Sequence, residues 1–215
     1  MSLQGKNKKP FSYINKIVLN KYFQNKDFNK TSSHQSNFSN STFENTSFID
    51  AKFKFSALYG VKYKGCVITG SHFKKCNLEN AIFEECVIRA TVFEKCKMKG
   101  VSFINCYLEL GQLKNYPNLS FINCKTDVYT REMFSPQLLD IVEELRTNIF
   151  IRRSMVLVIK NNKINLLALK KLVDHFTEER LLDLLPMLPN HIKNQFYTVS
   201  YIEKILSDLE DSSNI

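Results

Sequence analysis

From Phe38 onward, every fifth residue of this 215-residue chain is large and apolar: Phe38, Phe43, Phe48, Phe53, Leu58, Tyr63, Ile68, Phe73, Leu78, Phe83, Ile88, Phe93, Met98, Phe103, Leu108 and Leu113. Two residues before each stands a small one, in a column that runs from Ser36, Ser41 and Thr46 to Val101, Cys106 and Gly111. A helix repeats its faces every 3.6 residues and a strand every two, so neither is the repeating unit here. A period of five requires a bend within each unit. Two residues after the large ones come Asn40, Asn45, Asp50, Gly60, Gly65, Gly70, Asn80, Gly100, Asn105 and Asn115. These residue types most readily take turn and left-handed conformations.

This pattern resembles the pentapeptide-repeat family, whose consensus is A-(D/N)-L-x-x, over about 80 residues without a break. The resemblance implies a mainly β fold, a right-handed quadrilateral parallel β-helix with four pentapeptides per coil. Both the large and the small residues would point inward, and coils would stack at about the 4.8 Å inter-strand spacing. Counting modulo twenty then gives four interior columns. Phe43, Tyr63, Phe83 and Phe103 face Phe53, Phe73, Phe93 and Leu113, and two aliphatic columns hold Leu58, Leu78, Met98 and Ile68, Ile88, Leu108. Phe23 and Phe28 share the register, which sets the expected β-helix at 21–127 with strict repeats over 36–113. Residues 1–20 are left as a basic N-terminal arm or cap. Ser102-Phe103-Ile104-Asn105-Cys106 recurs as Ser120-Phe121-Ile122-Asn123-Cys124, an offset that is not a multiple of five, so a protruding inserted loop is expected at 114–119.

Cys66, Cys76, Cys86, Cys96 and Cys106 all occupy the small inward position. No CxxC and no Cys/His cluster at ligand spacing accompanies them, so packing filler is preferred over disulfides, and disulfides over a metal site. The histidines are scattered, and no nucleophile, paired carboxylate or phosphate-binding loop forms a motif. The chain is read as non-enzymatic, with no cofactor and no metal.

The net charge is +9, with the excess in the N-terminal arm and the repeat. The face over Phe53, Phe73 and Phe93 displays Lys52, Lys54, Lys74, Lys75, Lys95 and Lys114 against Glu94 alone, a candidate surface for an anionic partner. The face over Ile68 and Ile88 displays Ile49, Val67, Val87, Tyr107 and Leu110, an apolar stripe that something should cover. The chain's own C-terminal segment is preferred for that role, with a second subunit as the alternative.

From about residue 130 the apolar period becomes helical. Ser135-Pro136, Thr177-Glu178-Glu179 and Ser200 mark helix starts, and a C-terminal α-helical domain or cap of four or five helices is expected over 130–212. No apolar run is long enough to span a bilayer and no leader is evident, so a cytoplasmic protein without membrane association is expected.

The functional expectation is a non-enzymatic protein–protein interaction scaffold in bacterial immunity, defence or effector biology. The family resemblance adds an alternative, a topoisomerase-binding resistance or immunity protein, although that role goes with an acidic surface and this repeat is net basic. A homodimer stays open, and nucleic-acid binding through the lysine face is the less favoured alternative.

Overall fold

The computed structural model describes residues 12–213. Residues 12 to about 125 wind into a parallel β-solenoid of about six turns. One face stacks the strands Ser12–Ile14, Ser32–His34, Lys52–Lys54, His72–Lys74 and Val92–Glu94. The opposite face stacks Tyr22–Gln24, Thr42–Glu44, Lys62–Lys64, Ile82–Glu84, Ser102–Ile104 and Ser120–Ile122. A third stacks Ser47–Ile49, Val67–Thr69, Val87–Arg89 and Tyr107–Leu108, and the fourth is joined by single bridges linking Ile17, Asn37, Ala57, Asn77 and Lys97. Phe53 pairs with Phe73 and Tyr63 with Phe83, the twenty-residue register read from the sequence.

The corners have a uniform cause. Every fifth residue from Asn15 to Asn105 has positive φ. Asparagine and glycine tolerate this, whereas Phe55, Lys75, Glu85, Ala90 and Lys95 take the same conformation at a cost of about 1–2 kcal/mol each. At Gly100 (φ +71°) the absence of a side chain also matters for space. A Cβ there would lie 2.3 Å from Oδ1 of Asn80, which reaches across from the previous coil. Asn115 does not form a corner, and Asn118 takes the left-handed conformation instead.

Inside, the rings stack as columns. Centroids lie 5.4, 4.7 and 4.9 Å apart along Phe43, Tyr63, Phe83 and Phe103, and 5.1 Å apart along Phe53, Phe73 and Phe93. The small residues do more than fill space. Cys66, Cys76, Cys86, Cys96 and Cys106 each donate the thiol hydrogen to the carbonyl of a central residue one coil back: Phe43, Phe53, Tyr63, Phe73 and Phe83, at 3.3–3.4 Å. Ser41, Ser71 and Thr91 donate hydroxyls to Val18, Phe48 and Ile68 in the same way. Ala51, Val61, Ala81 and Val101 cannot donate. They fall where the matching carbonyls of Phe28, Phe38, Leu58 and Leu78 instead accept a turn N–H, from Thr31, Ser41, Val61 and Ala81. Donor and non-donor residues are thus sorted by what the neighbouring carbonyl needs.

Two boundaries differ from expectation. The first strand, Ser12–Ile14, pairs with Ser32–His34, so solenoid begins inside the segment assigned to the arm, whose residues 1–11 lie outside the described residues. The 114–119 insertion is not simply a protruding loop. A 3-10 turn at Gly111–Asn115 closes the coil, and Tyr116 folds back so that its hydroxyl donates to Phe93 O at 2.6 Å and accepts from Cys96 N–H at 3.2 Å. Tyr116 therefore supplies the donor that the insertion displaced.

The helical region comprises α1 (Pro136–Leu145), α2 (Ile149–Ser154), α3 (Leu166–Phe176), α4 (Glu178–Leu184), α5 (Leu188–His191) and α6 (Val199–Ser213). Ser135, Asn148, Asn165 and Thr177 cap α1 to α4 through side-chain oxygens that accept backbone N–H groups. Ser200 is not a cap: α6 starts at Val199, and the Ser200 hydroxyl serves another contact. The helices share one core built on Leu138, Leu169, Leu172, Leu181, Leu185 and Ile202.

Candidate functional site

The outer faces of the solenoid are the places where a partner could bind, and the structure sorts them. The apolar stripe is occupied. Ile49, Val67 and Val87 are buried within the helical core, and Tyr107 packs against it. Polar contacts fix the seat: Tyr107 Oη donates to Asp174 Oδ2 at 2.8 Å, Ser200 Oγ donates to Asn45 Oδ1 at 2.8 Å, and Lys160 pairs with Asp50. Burial and the Asp174 bond both raise the Tyr107 pKa, which keeps the phenol a donor. As a surface for a separate partner, this stripe is corrected: the chain's own helices cover it. Leu110 differs from the other four, because it packs against the solenoid interior and lines clefts near the last coil.

The lysine face is free. Lys52, Lys54, Lys75, Lys95 and Lys114 are exposed, and among the described residues none enters an ion pair. Lys74 is different: its Nζ lies 2.8 Å from Glu94 Oε1, while His72 Nε2 lies 3.0 Å from Glu94 Oε2. The hydrogen bond from Lys74, reinforced by His72, holds the Glu94 carboxyl below its ordinary pKa. The single acid on this face is thereby already shared between two bases. Across the solenoid the opposite face is balanced, because Glu44 pairs in register with Lys64 and Lys64 with Glu84. Charge of one sign accumulates only where the side chains of adjacent coils repeat it, as Lys54 beside Lys74 does.

One residue of this surface was missed in the sequence. Phe55 is 48% exposed at the corner of the lysine face, with Lys75 Nζ 5.3 Å from its ring centroid and His34 edge-on at 5.5 Å. Its signal was its position, a bulky ring in a corner column that otherwise holds Asn15, Gln35, Lys75 and Lys95.

Among the described residues, no group of His, Cys, Asp and Glu could hold a metal ion, and all six cysteines are free thiols. Burial pushes the Cys86 thiol pKa well up, consistent with its role as a neutral donor. A cleft of about 340 Å³ lies between the last coil and α3. Its charged groups are the Arg89–Glu109 pair, Lys114 and Asp127.

A family profile described as "pentapeptide repeat region" matches residues 56–127, and a second, "pentapeptide repeats (8 copies)", matches residues 34–62. Residues 34–127 are a pentapeptide-repeat region. No curated protein matches it. Similar solved structures include QnrB1, a plasmid-mediated fluoroquinolone resistance protein, at 12% identity and a TM-score of 0.31, covering 54% of this chain and 66% of that one. The chain thus spans just under two thirds of that structure's length. A pentapeptide repeat protein from the Arabidopsis thaliana thylakoid lumen is 13% identical, with a TM-score of 0.30 and coverage of 60% and 75%. HetL from Nostoc, described as involved in heterocyst differentiation regulation, is 11% identical, with a TM-score of 0.22 and coverage of 55% and 87%. No helix among the described residues is long and apolar enough to cross a membrane.

Proposed function

We propose that this pentapeptide-repeat protein is a non-enzymatic interaction scaffold that holds its lysine face against an acidic surface of a protein partner, in an immunity, defence or effector setting. One observation carries this reading. Lysines accumulate on one free face whose only acid is Glu94, while on the opposite face Lys62 and Lys64 are matched by Glu44 and Glu84 and the apolar face is occupied by the helices. A flat solenoid wall holds such charges at fixed spacing, so their fields add over a surface and steer an oppositely charged partner.

The test is site-specific photo-crosslinking of the full chain in its host. A crosslinker at Phe55 should give a discrete protein adduct that is lost when Lys54, Lys75 and Lys95 are changed to Glu, and a crosslinker at Lys64 on the opposite face should give none. Equal adducts from both positions would overturn the reading.

A second reading, nucleic-acid binding, is favoured by the exposed Phe55 ring among lysines, because bases stack on aromatic faces. It predicts a nucleic-acid adduct at Phe55 and strong salt dependence. The topoisomerase-binding alternative calls for an acidic face, and the balanced Glu44–Lys64–Glu84 column does not supply one. Protection of gyrase supercoiling from a quinolone would revive it.

A further inference from the structure

The first coil of the solenoid keeps its large residues Tyr13, Val18, Phe23 and Phe28 on the interior but departs from the later coils at its other positions. In later coils the small inward position holds residues such as Ser36, Ser41 and Thr46, all buried. In the first coil the same position holds Lys16, Lys21 and Lys26, and all three are exposed. A lysine on the inward register reaches water only by leaving through the open end of the coil stack. The outward positions are reversed as well. Ile14, Ile17, Leu19 and Tyr22 are 55%, 79%, 40% and 59% exposed, where the coil above them places His34, Asn37, Ser39 and Thr42. Ile17 and Leu19 lie on one wall, flanked along the chain by Lys16 and Lys21. No carboxylate occurs between residues 12 and 26.

On the wall of Ile17 and Leu19, exposed aliphatic side chains flanked by lysines match the chemistry of the boundary between headgroups and acyl chains, and the coil's one acid, Asp27, lies on the opposite wall. Aliphatic anchors enter the acyl edge, the long lysine stems lie along it, and the ammonium groups meet anionic headgroups. Other occupants fit less well. A second copy stacked on this coil would set lysine against lysine. Nucleic acid gains no stacking surface from Ile17 and Leu19. The eleven preceding residues bring Lys6, Lys8 and Lys9 and no acid to offset the charge. We propose that the first coil docks on an anionic lipid surface through one wall, with Ile17 and Leu19 as apolar anchors and Lys16 and Lys21 as headgroup contacts. This goes beyond the scaffold reading and needs no membrane span. The sequence expectation of no membrane association rested on the lack of a spanning segment, and peripheral docking is a separate matter.

The experiment is co-sedimentation of the full chain with vesicles of phosphatidylcholine plus phosphatidylserine, and with vesicles of phosphatidylcholine alone. Binding is expected to the anionic vesicles only and to weaken with salt. Lys16→Gln and Lys21→Gln should each lower the partition coefficient about fivefold. The double variant Ile17→Ser/Leu19→Ser should lower it by about tenfold or more. The lysine variants change only exposed side chains, so they keep the test decisive if the apolar double variant fails to fold. Equal binding to both vesicle types, or binding unchanged in all variants, would overturn the proposal. So would self-association or nucleic-acid binding that depends on Ile17 and Leu19 in the absence of vesicle binding.

Discussion

Replacing Tyr63 by Phe deletes one oxygen from the middle of an aromatic column and leaves the shape of the ring intact. Tyr63 is fully buried between Phe43 at 5.4 Å and Phe83 at 4.7 Å, and its hydroxyl has no hydrogen-bond partner among the described residues. Holding an unpaired hydroxyl in such a place costs about 1–3 kcal/mol, so Tyr63→Phe should stabilise the protein by about that amount. For a chain of this size, each kcal/mol corresponds to a rise in Tm of about 2–4 °C. The same chemical change at Tyr116 should have the opposite sign. There the hydroxyl makes two hydrogen bonds, to Phe93 O and from Cys96 N–H, and their loss should cost about 1–2 kcal/mol. Both variants can be compared with the parent by urea unfolding followed by circular dichroism and by thermal melting. A destabilised Tyr63→Phe would refute the reasoning, because it would mean that the hydroxyl has a hidden partner and that the column is not a dry stack of rings.

Other outcomes follow from the same geometry. Cys86→Ser should stay within about 1 kcal/mol of the parent, because the hydroxyl can still donate to Tyr63 O, whereas Cys86→Ala should lose more in the same unfolding assay. Gly100→Ala should destabilise by at least about 1–2 kcal/mol from the left-handed backbone alone, and Asn80→Gly in the same chain should recover the part due to overlap, as read by melting temperature. Val67→Asp places a charge under the helices and should unseat them, seen as faster hydrogen exchange in α3 while the ring columns stay protected. Burial opposes ionisation of Asp174, but hydrogen bonds from Lys170 and Tyr107 outweigh it and leave the pKa depressed. Its contribution is therefore present above the ordinary carboxylate pKa and is lost as pH falls through the folded value. Asp174→Asn should flatten that acid limb of stability.

The interior was legible in the sequence because it repeats. A five-residue period with large and small positions defines the columns, and Asn and Gly define the corners, without knowledge of any distant contact. Only the start of the first coil, before residue 21, was assigned to the arm, because Lys16 breaks the small-residue rule at the open end, where the rule no longer has a packing cause. The cysteines were recognised as interior, but not as donors. That role depends on whether a carbonyl one coil away is used in a turn, a fact about backbone geometry rather than residue type. Ser135, Thr177 and the apolar period located α1, α3 and α4. The six-residue α2 was too short to leave a period, and Ser200 was read as a cap because its partner, Asn45, lies 155 residues away. The apolar stripe was visible as a stripe, and what covered it was a matter of tertiary packing.

The central claim is that one wall of the solenoid, rather than its net charge, is the working surface. Two variants with the same change in net charge separate these ideas: Lys54→Glu/Lys75→Glu on the lysine face and Lys62→Glu/Lys64→Glu on the opposite face. The measurement is the salt concentration at which each full chain elutes from a heparin column. The account predicts a marked drop for the first variant and a small one for the second, because Lys64 is already balanced by Glu44 and Glu84. Equal drops for the two would contradict it.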